Sequence, residues 1–181
     1  MDFVPGESEY IPNPTWVEVK CTGISKPKPV SGHTSIVHGD KMALSGGLNA
    51  DKEYTDMHSL DLTKNQWQLM KPKPLNGDPH NMPGPRDEHT AILWGASMVI
   101  FGGFQFGKRM NDVCIFDFKS NKWERLRIKG EKPPPRAGHS AVLRVDDKED
   151  INRMYIFGGK INHYQKLNDT WYLDLDTRQW H

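Results

Sequence analysis

Three histidines recur at matching places along the sequence, and they are the first side chains that could do chemistry together. His33, His89 and His139 each precede a short run of apolar residues. If their imidazole rings converged they could hold a metal ion, which requires ligand nitrogens about 2 Å from the ion. Because each histidine stands in a different copy of an internal repeat, we favour a structural role in which the ring bonds a neighbouring strand.

A second recurring set consists of aspartates. Asp61, Asp117 and Asp174 each follow an apolar run and precede a turn-forming stretch. This position is typical of a carboxylate that caps a turn, and it does not pair two carboxylates for acid–base catalysis. The sequence also lacks the common nucleophile, phosphate-loop and zinc-protease motifs. We therefore predict no catalytic residue, no cofactor and no metal site, and hence no enzymatic activity.

The two cysteines, Cys21 and Cys114, form neither a CxxC pair nor a disulfide framework. Cys114 lies in an apolar run, which predicts a buried thiol that packs as a small apolar side chain. Unpaired cysteines favour a reducing compartment, so the predicted location is the cytoplasm, with the nucleus as an alternative.

The composition argues against several classes of partner. The 181 residues carry 24 Lys and Arg against 23 Asp and Glu, a balance without the basic excess of a nucleic-acid-binding surface. The N-terminus has no signal-peptide pattern, and no apolar run reaches the ~20 residues that a membrane-spanning helix needs. We expect neither nucleic acid nor membrane as a partner, and we interpret residues 1–14 as a flexible lead-in.

An internal repeat positions these side chains. The phrases MALSGG, MVIFGG and MYIFGG place glycine pairs 56 residues apart each time. Each copy continues with an apolar run that ends in aspartate and, six residues later, a tryptophan. The recurring residues are Gly46, Gly47 and Trp67; Gly102, Gly103 and Trp123; and Gly158, Gly159 and Trp180.

The apolar runs within each copy predict four short antiparallel strands separated by turns. The copies are expected at about residues 31–70, 87–126 and 137–181. The third copy carries six extra residues, which we place in the polar turn DDKED, where an insertion leaves strand pairing intact. One such sheet has two apolar faces and cannot bury both alone, so the copies are expected to stack face to face as propeller blades.

Together these residues resemble the kelch repeat, which combines a glycine pair, a strand ending in aspartate and a tryptophan at a fixed distance. The Arg-x-Gly-His motif of the family is complete only as RAGH from Arg136; it is RDEH from Arg86, and Val30 replaces the arginine in the first copy. The resemblance covers residues 15–181. It implies an all-β fold of three kelch-type β-propeller blades, each of four antiparallel strands, and a function as a protein-interaction adaptor or scaffold.

Three blades leave the ring incomplete, because kelch-like propellers usually have six or seven. Residues 15–20 resemble an outer strand, with Trp16 in the place of Trp67 and Trp123, although the inner strands of that blade do not precede it. We expect a piece of a longer propeller. The alternatives are a homodimer that completes a six-blade ring and an open arc that needs a partner, and an open arc would expose apolar blade faces.

The loops after the glycine pairs vary in sequence while the strands repeat. The resemblance implies that these loops and the segments leading into each blade crowd one mouth of the central channel. Aromatic and basic side chains there suit a protein or peptide partner that is acidic or phosphorylated, whereas solvated loops without a ligand are the alternative. The predicted partner-binding residues are Arg86, Phe104, Gln105, Phe106, Lys108, Arg109, Arg136, Lys160, Asn162, His163 and Tyr164. A second function stays open: a non-catalytic piece of a kelch-containing enzyme, of the phosphatase or metal-dependent lyase or oxidase class.

Overall fold

Residues 15–50 and 52–181 are described by the computed structural model, and short β-strands make up most of their regular structure. The predicted flexible lead-in, residues 1–14, lies outside the described residues. In chain order the strands are β1 (Thr34–His38), β2 (Lys41–Ser45), β3 (Leu48–Asn49), β4 (Lys52–Glu53), β5 (Met57–Asp61), β6 (Gln66–Met70), β7 (Lys73–Pro74), β8 (Thr90–Trp94), β9 (Ser97–Phe101), β10 (Phe104–Gln105), β11 (Lys108–Arg109), β12 (Val113–Asp117), β13 (Lys122–Arg125), β14 (Ser140–Asp146), β15 (Ile151–Phe157), β16 (Thr170–Asp174) and β17 (Gln179–Trp180).

Among the described residues, helical structure is confined to two short 3-10 segments in the connection between the first and second sheets. They span Leu75–Gly77 and Pro79–Asn81. In the described ranges no helix is long and apolar enough to cross a membrane.

The sheets confirm the three predicted blades of four strands. The first sheet has the order β1-β2-β5-β6, the second has β8-β9-β12-β13 with β7 beyond β13, and the third has β14-β15-β16-β17. Neighbours among the four main strands of each sheet pair antiparallel. Strand β8 contacts both β1 and β14, so the first strands lie innermost and the sheets fan outward from them. This all-β arrangement is that of kelch-type propeller blades.

The second blade is packed on both faces, which explains why its inner strands β8, β9 and β12 are mostly apolar. On one side Phe116 and Trp123 pack with Met57 of the first blade. On the other side the ring centroids of Phe101 and Trp180, from the third blade, lie 4.9 Å apart. Burying one side chain of this size stabilises a fold by about 2–3 kcal/mol, so the two inter-blade cores hold the sheets together.

The first and third blades each keep one face uncovered by a described blade. Trp67 is only half-buried, and Leu69 and Ile24 are exposed on the same blade. Val142 and Phe157 are exposed on the third blade. Apolar side chains therefore reach solvent on both outer blades.

Each sheet gains a parallel neighbour at its outer edge, which the four-strand prediction missed. Thr22 bridges Gln66, β7 pairs with β13, and Lys129 bridges Gln179, all in parallel. The connection from one blade thus runs along the outer strand of the next. These bridges form six residues after successive tryptophans: Thr22 after Trp16, Lys73 after Trp67 and Lys129 after Trp123.

The predicted outer strand at residues 15–20 is wrong. These residues lie outside the strands, and Trp16 is fully exposed. A strand persists only where a neighbour pairs its backbone groups, and no described strand pairs with this segment. The described chain first joins a sheet at Thr22.

The loops after the glycine pairs are more ordered than the sequence predicted. Strands β3 and β4 form a two-residue ribbon in the first loop, and β10 and β11 form another in the second. A bridge between Lys160 and Lys166 closes the third loop. The extra residues of the third copy lengthen the β14–β15 hairpin, whose pairing runs on to Asp146 and Ile151, so the predicted insertion site is confirmed.

Candidate functional site

The loops after the glycine pairs and the segments leading into the first strands lie at one end of the sheets, named here the loop face. The loop face consists of residues 30–33, 48–50, 52–54, 86–89, 104–110, 136–139 and 160–167. Backbone bridges join a leading segment to a loop in every blade: Ser31 to Leu48, Asp87 to Phe104, and Ala137 to Lys160. Within each blade the leading segment and the loop are therefore neighbours at this end of the sheet.

The pair Gly102 and Gly103 shows why each loop begins with two glycines. Gly102 has φ 64°, and a Cβ there would lie 2.8 Å from the carbonyl oxygen of Arg136 in the next blade. Gly103 has φ 97°, and its Cβ would lie 2.7 Å from the carbonyl oxygen of Asp87 in its own blade. The pair lets the chain turn between two backbones that leave no room for a side chain.

Two of the three recurring histidines connect neighbouring blades. His89 Nε2 lies 2.8 Å from Thr34 Oγ1 of the first blade, and His139 Nε2 lies 2.8 Å from Thr90 Oγ1 of the second. Burial, reinforced by the charge of the arginine three residues earlier, lowers the pKa of His89 to about 3 and that of His139 to about 4. Both rings are thus neutral and structural, whereas His33 is exposed.

Arg86 and Arg136, which we predicted to bind a partner, are internal. Their exposed fractions are 2% and 0%. Arg86 donates hydrogen bonds to both carboxylate oxygens of Asp112, at 2.9 and 3.0 Å, and one to the Gly102 carbonyl at 3.0 Å. Arg136 makes two bonds of 2.8 Å to Asp169 and one to the equivalent glycine carbonyl. These donors are used inside the fold, so neither guanidinium is presented at the surface as the partner-binding prediction requires.

The two aspartates stay charged because the arginines face them. Hydrogen bonds from Arg136 lower the pKa of Asp169 to about 2. Burial on its own would raise the pKa of Asp112, but hydrogen bonds and charge from Arg86 and the charge of Arg125 outweigh it, and the pKa is lowered. Each ion pair ties the start of a third strand to the segment leading into its own blade.

Phe106 and Tyr164 are the exposed aromatic side chains of the loop face. Phe106 is 71% exposed in the turn between β10 and β11, and Tyr164 is 96% exposed in the third loop. Both stand on formed turns: the Phe106 N–H donates to the Glu53 carboxylate at 2.9 Å, and the Tyr164 N–H donates to Asn162 Oδ1 at 2.9 Å. The predicted residues that solvent reaches freely are Phe106, Lys108, Asn162, His163 and Tyr164.

The other predicted loop residues are partly buried and support these tips. The Arg109 guanidinium lies over the Phe104 ring, 5.4 Å from its centroid. Lys160 Nζ donates to Glu88 Oε1 at 2.7 Å, across the boundary between the third and second blades. The Gln105 amide packs against a glycine of the preceding connection. These contacts join the loop side chains to one another and to the neighbouring blade.

Sequence reasoning missed a set of carboxylates on the loop face. Burial first, and then the charges of Glu88 and Glu53, raise the pKa of Asp87. In the described part of the chain, Asp87 Oδ1 has no hydrogen-bond partner. The sequence feature that could have indicated these carboxylates is in the second copy, where Asp87 and Glu88 interrupt the Arg-x-Gly-His motif. The loop face is therefore mixed in charge rather than basic.

The remaining candidates for chemistry are structural. Asp61 Oδ1 accepts the Lys64 N–H at 2.9 Å, and Asp174 Oδ1 accepts the Thr177 N–H at 2.8 Å, as predicted for turn caps. Burial raises the pKa of the Cys114 thiol to about 12, so this side chain packs as an apolar group. Over residues 15–50 and 52–181, no group of three or more His, Cys, Asp or Glu is placed to hold a metal ion.

Comparison with known proteins identifies one family. A family model described as the KLHDC2/KLHL20/DRC7 Kelch-repeats domain matches residues 10–181. The chain is 31% identical over 169 residues to Kelch domain-containing protein 10 of Xenopus tropicalis and 29% identical over 180 residues to the host cell factor homolog hcf-1 of Caenorhabditis elegans, each match covering 91% of the chain. It is 37% identical over 97 residues, 52% of the chain, to dynein regulatory complex subunit 7 of Chlamydomonas reinhardtii. These matches span 39%, 22% and 8% of the respective relatives.

Proposed function

The chain belongs to the KLHDC2/KLHL20/DRC7 kelch-repeat family, and we propose that it is a non-catalytic adaptor or scaffold that binds a protein or peptide through its loop face. Kelch-repeat relatives are generally protein-interaction modules, which supports the proposal. The observation that carries it is the pair of exposed aromatic tips, Phe106 and Tyr164, on loops of adjacent blades. Exposed aromatics on a rigid support are typical of the residues that anchor a partner.

Rigidity is the second support for this site. The Phe106 backbone is held by Glu53 of the first blade, and the third loop is joined to the second blade by Lys160 and Glu88. A partner that binds such loops loses little free energy to loop ordering. Affinity would therefore come from the aromatic tips, with the blades as the frame.

We propose further that the partner segment bound by the loop face is acidic. Lys108 is exposed beside Phe106, and His163 is exposed beside Tyr164. The carboxylates on the same face are engaged within it, Glu88 by Lys160 and Glu53 by the Phe106 N–H, so attraction of an acidic segment depends on its reaching Lys108 and His163. Binding by exposed charges of this kind is screened by salt, and we expect affinity to fall as ionic strength rises.

The test compares partner capture by the wild-type chain with capture by Phe106→Ala/Tyr164→Ala. We expect the double variant to lose at least tenfold in affinity for the partners that the wild type retains, because two anchors of about 1–2 kcal/mol each are removed. The matched control is Leu62→Ala, which truncates an exposed apolar side chain in the turn after β5, away from the loop face. An unchanged set of captured proteins and affinities in the double variant would remove the loop face from the proposal.

The uncovered faces of the first and third blades support a further part of the proposal: each face packs against another protein surface. We propose that this surface belongs to a second copy of the chain, so that two copies complete a six-blade ring. Sedimentation velocity separates the outcomes: a concentration-dependent dimer supports the second copy, and a monomer at all concentrations excludes it. The compartment proposed for this module is the cytoplasm, with the nucleus as the alternative.

A further inference from the structure

The first blade lacks the buried arginine of the other two. Val30 stands where they carry Arg86 and Arg136. The acceptors of the guanidinium are nevertheless kept, since Asp56 precedes the third strand of its blade and Gly46 opens its glycine pair. The first blade therefore has the receiving half of a guanidinium site without the donor.

A cavity of about 120 Å³ lies where that guanidinium would be, and we name it the arginine slot. Its lining includes Val30, Gly46, Tyr54, Asp56 and His58. Across the described residues Asp56 takes part in no ion pair, and no hydrogen-bond donor reaches the Gly46 carbonyl. The lining of the slot thus offers acceptors that the fold does not use.

A buried nitrogen at the slot is a second, independent observation that points to a ligand. His58 is 7% exposed, and its Nδ1 has no hydrogen-bond partner within the described ranges. Burial lowers the pKa of His58, the charge of Asp56 opposing the shift only in part. A neutral ring protonated at Nε2 presents Nδ1 as an acceptor, which a guanidinium N–H satisfies.

We propose that the arginine slot binds an arginine side chain of a partner peptide. The two filled sites of this chain show the geometry: paired hydrogen bonds to the aspartate and a third to the glycine carbonyl. The incoming guanidinium makes the same bonds to Asp56 and Gly46. A planar guanidinium meets these acceptors in a way that a lysine ammonium does not, so the slot discriminates between the two cations.

The surroundings of the slot indicate which residues flank that arginine. Leu44 and Leu69 also line the cavity, and Leu69 belongs to the uncovered face of the first blade. Lys26 and Lys28 stand at the rim, and Lys28 Nζ lies 5.8 Å from the centroid of the Tyr54 ring. These two cations disfavour a strongly basic segment. The preferred ligand is therefore a single arginine between apolar residues.

The slot borders the loop face through Val30 and Tyr54 but uses neither aromatic tip, so the test of one proposal does not decide the other. Its test follows the backbone amide signals of Gly46, Asp56 and His58 in the isotopically labelled 181-residue chain. The probes are acetyl-Leu-Arg-Leu-amide and the same tripeptide with citrulline, which keeps the shape of arginine without its charge. We expect saturable shifts of these three signals with the arginine peptide and none with the citrulline peptide. Equal shifts with both peptides would overturn the proposal.

Two variants address the slot itself. Asp56→Asn should weaken the arginine peptide at least tenfold, whereas Asp147→Asn, an exposed carboxylate in the β14–β15 turn, should leave its affinity unchanged. Val30→Arg restores the arginine that the other blades carry, so it should fill the slot from within and abolish peptide binding. Undiminished binding by either Asp56→Asn or Val30→Arg would show that the peptide binds elsewhere. If Val30→Arg does not fold, the comparison between the two asparagine variants decides.

Discussion

His139 Nε2 lies 2.8 Å from Thr90 Oγ1, so a side chain that leads into the third blade bonds the innermost strand of the second. The same relationship joins His89 to Thr34 one blade earlier. Each bond sits where the glycine pair of one blade meets the backbone of the next. The recurring histidine of the motif therefore bonds one blade to the next. Removing this bond should lower the stability of the fold.

Thr90→Val tests the connection, because valine keeps the shape of threonine and removes the hydroxyl. The histidine nitrogen is left buried without a partner, and we expect the free energy of unfolding to fall by about 1–3 kcal/mol. Urea denaturation measures the change. Ser140→Ala removes an exposed hydroxyl from the inner strand of the third blade and should change stability by less than about 0.5 kcal/mol. Equal stability of Thr90→Val and wild type would contradict the role assigned to this bond.

Acid should weaken the fold before its carboxylates titrate. An unfolded histidine titrates near pH 6.5, whereas burial lowers the pKa of His139 to about 4 and that of His89 to about 3. Below about pH 6.5 the unfolded chain binds protons that the folded chain excludes, so stability is complete above that pH and falls toward about pH 4 by roughly 1.4 kcal/mol per pH unit for each histidine.

Urea denaturation between about pH 7.5 and pH 5 checks this window. His139→Gln should reduce the slope of stability against pH, because the unfolded variant has one fewer histidine that binds a proton which the folded chain excludes. His163→Gln changes an exposed loop histidine and should keep the wild-type slope. A slope in His139→Gln equal to that of the wild type would show that this ring does not control acid sensitivity.

The blades were predictable because their signals are local and repeated. A glycine pair such as Gly102 and Gly103, followed by a tryptophan such as Trp123, recurs in every copy. Close backbone contacts at the glycines and the packing of the tryptophan permit few other residues at these positions. The strand at residues 15–20 failed for the opposite reason. Its Trp16 matches the repeat, but strand formation depends on a neighbouring strand that the residues themselves do not specify.

The candidate site was less predictable, because the direction of a side chain depends on contacts distant in sequence. Arg86 lies in a loop beside exposed aromatics, which favoured a surface role, yet its partner Asp112 stands 26 residues downstream. The arginine–aspartate pair was also hard to recognise from the repeat, because the first copy has Val30 in place of the arginine while it keeps Asp56. By contrast, Phe106 and Tyr164, which were also predicted to bind a partner, are exposed in the structure because each stands where the chain turns within its loop.

The ion pair between Arg136 and Asp169 should respond differently to loss of either partner. Asp169→Ala leaves a fully buried guanidinium without a counter-charge, and we expect it to cost about 3–5 kcal/mol of stability. Arg136→Ala leaves a partly exposed carboxylate that water can solvate, so its cost should be smaller, about 2–3 kcal/mol. Denaturation of both variants measures the order. If Arg136→Ala were the more damaging, burial of the arginine charge would not be the deciding term.

Gly103→Ala provides the sharpest test of the blade geometry. The residue has φ 97°, and an added Cβ would lie 2.7 Å from the Asp87 carbonyl oxygen, which belongs to a backbone that cannot move without breaking its own bridge to Phe104. The matched control is Gly107→Ala, since Gly107 also has positive φ, 79°, but nothing lies within 4 Å of its Cβ position. The control should cost only the conformational penalty of about 1 kcal/mol, whereas Gly103→Ala adds a steric clash and should cost several kcal/mol more. Thermal and urea denaturation of the two variants compare these costs directly. Similar losses in both would mean that backbone conformation alone, and not the close approach of neighbouring segments, explains the glycine pair.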